Sequence, residues 1–247
     1  MFSYKSKNPA LKADIFQGAE AVGSQTMTIQ GTVNKIALLG VITFASAMYT
    51  WNLFMSSGNP ASIQGFMYGG FGIGFILAII ITFKKKWANV LAPIYCVAKG
   101  LALGGISAVY EVAFQGIVFQ ALLLTFGILF SLLLIYRMRW IAVTENFKLM
   151  IGSAIMGIGV LYLSSFVLGF FGIEMAFLHD SSPLSIGISL VIVAVAAFSL
   201  VIDFDFIEEG EENGAPKYME WYAAFGLIVT LIWLYIEILR LLSKLRD

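Results

Sequence analysis

The 247-residue chain is 60% hydrophobic and only 12% charged, with mean hydropathy +0.89. That excludes an ordinary soluble domain, in which about half the residues are apolar and about a quarter charged. Fifteen basic and fifteen acidic residues cancel, so nucleic acid is excluded as a partner, while one cysteine and one histidine exclude a disulfide framework, a Cys-rich metal cluster, a His-based metal site and a Ser-His triad.

A helix crosses the hydrocarbon core with about 20 predominantly apolar residues, and seven stretches qualify. The first thirty-odd residues are polar and lack the apolar core of a signal peptide, so residues 1–34 are expected to form a tail ahead of an uncleaved first anchor. Within that tail, Asn8-Pro9 has the form of a helix start, and Leu11, Ile15, Phe16, Ala19 and Val22 make a loose apolar stripe. That stripe suits either the membrane surface or the mouth of a bundle.

The first span is expected over Lys35–Met55 and ends in the turn Ser56-Ser57-Gly58-Asn59-Pro60. The second, Ile63–Phe83, contains Gly69-Gly70-Phe71-Gly72-Ile73-Gly74, which resembles a nucleotide loop but sits inside an apolar span with no strand before it. Gly70 with Gly74, and Gly100 with Gly104 in the third span (Asn89–Tyr110), have the spacing that lets helix backbones approach closely. Spans four to seven are expected over Gly116–Tyr136, Leu149–Phe171, Leu184–Ile207 and Tyr218–Ser243, with 244–247 as a short tail. Ser181-Ser182-Pro183 and the acidic stretch Glu208–Pro216 supply breaks. Stretches such as Gly74–Thr82 are apolar on every face, unlike the alternating strands of a membrane barrel. Trp51, Trp87, Trp140 and Trp221 fall near span ends, as interfacial anchors do.

Lysine and arginine alternate between connections. They fill the N-terminal tail, the second connection (Lys84, Lys85, Lys86), the fourth (Arg137, Arg139, Lys148) and the sixth (Lys217), and are missing from the first, third and fifth. The positive-inside rule then places the N-terminus in the cytoplasm. A seventh crossing exports Arg240, Lys244 and Arg246 against the rule, so the last segment either is re-entrant or crosses despite those charges. The first six spans favour a crossing with the C-terminus outside.

Ionisable residues within spans are costly and by default functional. Here they are Lys99 in the third span, Asp203 and Asp205 late in the sixth, and Glu237 with Arg240 in the seventh; Glu111 is interfacial. Asp203 and Asp205 diverge by about 200° on a helix, so one can face the bundle while the other reaches the interface. Both can equally belong to the acidic loop that follows. A carboxylate lining a polar cavity would bind a proton or a cation, with desolvation raising its pKa and nearby cations lowering it. Glu237 has an ordinary partner one turn along in Arg240. Lys99, near mid-bilayer, calls for a counter-ion and is expected to approach Asp203, Asp205 or Glu237; the rival outcome is a lysine that snorkels to the interface. By helix geometry Asp203 and Glu237 lie at depths that differ by roughly 20 Å, which makes Glu220 the alternative companion of Asp203 or Asp205.

Longer stretches resemble a known family. Ile202-Asp203-Phe204-Asp205-Phe206-Ile207-Glu208, Gly214-Ala215-Pro216-Lys217-Tyr218-Met219-Glu220-Trp221-Tyr222 and Trp233-Leu234-Tyr235-Ile236-Glu237-Ile238-Leu239-Arg240 carry the likeness. So do Met27-Thr28-Ile29-Gln30-Gly31-Thr32-Val33, Ala92-Pro93-Ile94-Tyr95, Lys99-Gly100-Leu101 and Gly116-Ile117-Val118-Phe119-Gln120-Ala121. Together they resemble the Bax inhibitor-1/YccA-like family, the transmembrane Bax inhibitor motif proteins, in its bacterial branch. The resemblance implies an all-α seven-helix membrane bundle with the last helix near its centre, in a bacterial inner membrane, acting as a pH-sensitive calcium leak channel. It implies that acids on the sixth and seventh helices sense protons: Asp203 matches the first, Glu237 the second by its local setting. Relatives usually carry an acid where Lys99 stands, so an ammonium in the pathway would take the place of a bound cation.

Enzyme chemistry is not expected. The Gly-x-Gly-Asp signature of intramembrane aspartyl proteases is missing, His179 falls in an outer loop, and the only lysine near the end of the last span is Lys244. No cofactor is expected beyond calcium as a transported ion, for which intramembrane carboxylates are suitable ligands. The alternative is a non-transporting scaffold or regulator of a membrane-anchored protease, docking through the polar tail and acidic loop.

Overall fold

Seven helices, each long and apolar enough to cross a bilayer, form the bundle in a computed structural model that describes residues 26–247 apart from 174, 176, 177 and 179. The expected helix start at Asn8-Pro9, the apolar stripe behind it and His179 lie outside the described residues. The helices are α1 (Ile29–Ser57), α2 (Ala61–Phe83), α3 (Ala88–Ala113), α4 (Ile117–Arg137), α5 (Glu145–Phe170), α6 (Pro183–Glu212) and α7 (Met219–Arg246), with a 3-10 turn over Lys85–Trp87 between α2 and α3.

Local chemistry sets their ends. Helix α1 begins ahead of the expected Lys35 because the Thr28 side chain accepts a hydrogen bond from the Gly31 N–H, which caps the first turn. It stops at Gly58, whose φ of 61° reverses the chain. Ser182 caps α6 by accepting from the Ser185 N–H, with Pro183 at the first helical position, where its missing donor costs nothing. Glu111, expected only to be interfacial, accepts from the N–H groups of Gly116 and Val118 at 2.6 and 3.2 Å and so caps α4.

Helix α7 is the centre. It packs against α1, α3, α4 and α6, while α2 leans on α3 and α5 on α6. The largest buried side chains come from the inner faces of this arrangement, among them Leu39, Ile81, Leu200, Leu234 and Leu239. Outward faces present Phe75, Phe83, Phe119 and Phe170, the normal surface of a protein whose solvent there is lipid.

The two small-residue pairs do the packing expected of them. A methyl on Gly100 or Gly104 would overlap the carbonyl oxygens of Thr43 or Ala47 on α1, and one on Gly70 would overlap that of Ala98 on α3. Close approach of α1 to α3 then lets the Thr50 hydroxyl donate to the Leu101 carbonyl at 2.8 Å.

The last helix is continuous over Met219–Arg246 and long and apolar enough to cross, with no turn back along its length. Its end meets the connections opposite the α1 entrance: Arg246 donates to the Gln115 carbonyl at 2.8 Å and to Gln120 Oε1 at 2.7 Å, and Ser181 Oγ donates to Asp247 at 3.0 Å. The three cations that break the charge rule are all committed within the chain. Arg240 pairs with Glu237, Lys244 is enclosed, and Arg246 ties the α3–α4 connection.

Candidate functional site

The acidic side chains of α6 and α7 occupy four separate stations. At the entrance of α7, Glu220 is wholly buried and gathers partners from three segments. It accepts from the Thr28 N–H at 2.9 Å and the Thr28 hydroxyl at 3.0 Å, and it pairs with Lys217 at 2.8 Å and with Lys35. Gly31 faces it so closely that a methyl there would overlap the carboxyl group. The same corner is tied by the Met27 N–H to the Ala215 carbonyl at 2.7 Å and by the Ile29 N–H to Glu211 at 2.8 Å. Glu220 therefore closes the N-terminus of α1 against the α6–α7 turn, and it shares no hydrogen bond with Asp203 or Asp205 among the described residues.

Asp205 belongs to a second station at the same end of the bundle. Lys148 of α5 lies 2.7 Å from its Oδ2 and 3.4 Å from Glu209, while Glu208 takes Arg139 and the Tyr136 hydroxyl from the end of α4. Opposite charges gather here at a helical rim, and Asp205 shares Lys148 with Glu209.

Asp203 is different. It faces α7, where a methyl on Gly226 would lie 3.9 Å from its Oδ1. Its Oδ2 is enclosed with no hydrogen-bond partner, and no cation lies within 4 Å of the carboxylate among the described residues. The nearby Thr230 hydroxyl donates to the Gly226 carbonyl at 3.2 Å.

Glu237 lies three turns further along α7, roughly 16 Å beyond Gly226 at about 1.5 Å per residue, so Asp203 and Glu237 do not meet. Nearly fully buried, Glu237 accepts the Tyr162 hydroxyl of α5 at 3.0 and 3.1 Å and Arg240 Nη1 at 3.2 Å. The Arg240 guanidinium also stands 5.2 Å from the centre of the Tyr162 ring, and the two side chains border an open groove of about 490 Å³.

Lys99 lies within 4 Å of none of these acids, unlike the expected counter-ion contact. It lies on the face of α3 turned toward α2, whereas the acids sit on α6 and α7. Gly74 leaves room for its methylene stem, and the ammonium rests 4.4 Å from the centre of the Phe71 ring. The ring face supplies a negative potential in place of a carboxylate.

Two participants escaped the sequence. Lys244, expected in a short tail, is 7% exposed and donates to the Leu178 carbonyl, Ser185 Oγ and Ser189 Oγ at 2.7, 2.7 and 2.9 Å. Serines four apart at the start of an apolar span were the available signal, since they place two hydroxyls on one helix face. Tyr162 had no signal, because an interior tyrosine looks the same whether it meets lipid or an acid. Among the described residues no three His, Cys, Asp or Glu side chains converge on a point that could hold a metal ion.

Comparison with known proteins agrees with this architecture. The model of a family described as Bax inhibitor 1 like matches residues 8–247, essentially the whole chain, and the chain belongs to that family. No curated protein and no solved structure matches it.

Proposed function

We propose that this member of the Bax inhibitor 1 like family is a proton-regulated leak pathway for calcium or similar cations, with Asp203 as the sensing carboxylate. The support is the contrast between Asp203 and its neighbours. Asp205, Glu208, Glu209, Glu220 and Glu237 each have a cation within 4 Å, and among the described residues Asp203 has none. A carboxylate set among helices with no cation beside it takes either a proton or a mobile cation, because an uncompensated charge in that setting is costly. Proton occupancy at Asp203 then sets whether the α6–α7 contact carries a negative charge opposite Gly226. Glu237, held by Arg240 and Tyr162, lies on the same helix toward the other end and is the second acid a cation would meet. In this scheme the α1 entrance faces the cytoplasm of a bacterial inner membrane.

The test is calcium flux into liposomes holding the full chain, at acidic and alkaline external pH. Flux in the wild type that changes with pH, and that loses its pH response in Asp203→Asn, is the expected outcome. Wild-type liposomes no leakier than empty ones at either pH would overturn the proposal.

A further inference from the structure

The α1-entrance end of the bundle divides its cations into two populations. Lys35 and Lys217 pair with Glu220, Arg139 with Glu208, and Lys148 with Asp205 and Glu209. Lys84, Lys85 and Lys86, in the turn between α2 and α3, have no carboxylate within 4 Å among the described residues, and neither has the single Arg137 at the end of α4. Glu145 opens α5 beside Lys148 and the other acids described at this end lie on the α6–α7 side, so among the described residues three consecutive ammonium groups stand together with no carboxylate to neutralise them.

Their setting is that of the membrane interface. All three lysines are exposed. They are flanked by Phe83, 81% exposed, and Trp87, 58% exposed, at the end of one crossing helix and the start of the next. A tryptophan such as Trp87 lodges at headgroup depth, with Phe83 on the lipid side of it. The 3-10 turn over Lys85–Trp87 keeps the basic run tight between the two helix ends. A sheet of negative phosphates at that level is the complement of this patch.

We infer that the α2–α3 turn is a binding site for anionic phospholipid headgroups, with Lys84, Lys85 and Lys86 as the phosphate-contacting residues. Lys85 gives the site a route into the bundle. Its ammonium stands 5.1 Å from the centre of the Tyr222 ring on α7, and Tyr222 packs edge-on against Phe206 of α6 at 6.1 Å, one residue from Asp205. A phosphate that draws Lys85 toward the bilayer removes the cation from that ring. The site is independent of whether the protein conducts ions.

Native mass spectrometry of the full chain in micelles with equal phosphatidylglycerol and phosphatidylcholine tests the inference. Each lysine near a charged surface contributes about fivefold in binding. The wild type should therefore retain phosphatidylglycerol in clear excess, and K84Q/K85Q/K86Q should lose at least about tenfold of that enrichment. Replacement of all three by arginine should preserve it, since the charge is kept. If the glutamine variant fails to insert, raising salt on the wild type serves instead and should erode the enrichment steeply. Equal retention of both lipids by the wild type, or enrichment unchanged by salt, would overturn the inference. So would complete displacement of the lipid by inorganic phosphate, which would make this a site for the free anion.

Discussion

The backbone N–H of Thr28, the residue that caps the first helix, donates to the Glu220 carboxylate at the start of the last one. A negative group at a helix N-terminus is favourable through the helix dipole and through the unsatisfied donors there. Here it also carries two lysines, so one side chain joins α1, α7 and the turn before α7.

Glu220→Ala should be severely destabilising. Removing one member of a buried ion pair costs about 3–5 kcal/mol, and two ammonium groups lose their partner here. Thermal unfolding of the detergent-extracted protein should show a Tm lower by roughly 6–20 °C. A shift within the error of the wild type would mean that Lys35 and Lys217 are compensated elsewhere.

Gly104→Val and Gly157→Val should behave oppositely. A side chain at Gly104 drives into the Ala47 carbonyl and the Thr50 hydroxyl, both on α1, whereas one at Gly157 meets nothing within 4 Å. Overpacking of the first kind costs about 1–3 kcal/mol or more, and the second should stay within about 1 kcal/mol of wild type. Size-exclusion profiles after heating distinguish the two, and equal tolerance would contradict the α1–α3 contact.

Lys99→Met should leave calcium flux and its pH response within about twofold of wild type, a change worth less than about 0.5 kcal/mol. The ammonium rests against Phe71 on the α2 side, away from the acids. Stability should hold or rise, since a cation with no carboxylate partner among the described residues leaves the interior while only a cation–π contact, worth about 0.5–2 kcal/mol, is lost. Flux that appears only in the variant would restore the lysine to the pathway.

A reporter that works only outside the cytoplasm should be active when fused after Asp247 and silent when inserted between Lys84 and Lys86. The contacts of Arg246 with Gln115 and Gln120 put the end of α7 opposite the α2–α3 turn. The same activity at both positions would deny that α7 crosses.

Crossing segments are the part of this fold that composition reveals, because about 20 apolar residues are needed whatever their neighbours. Gly70, Gly100 and Gly104 were equally legible, since a spacing of four fixes their common face. Azimuth was the missing quantity for Lys99. Its helix was identified, but which side of that helix faces α2 depends on Gly74 and on the order of helices around α7, and neither follows from periodicity when every face is apolar. Lys244 was obscured by position: three residues from the chain end, it looks like a group free to reach water. Its true partners, Ser185 and Ser189, lie at the far end of a different span. The mismatch between Asp203 and Glu237, by contrast, was accessible from residue counting along an antiparallel pair.

Placing the centre of the bundle in the final segment has a consequence for biogenesis. Helices α1, α3, α4 and α6 all pack on α7, which leaves the ribosome after them. Until it arrives, four inward faces have no common partner, and the amino end of α1 waits for the carboxylate that completes its cap. Assembly of the earlier crossings is provisional until then, and a nascent chain stalled before Met219 would leave those inward faces uncovered.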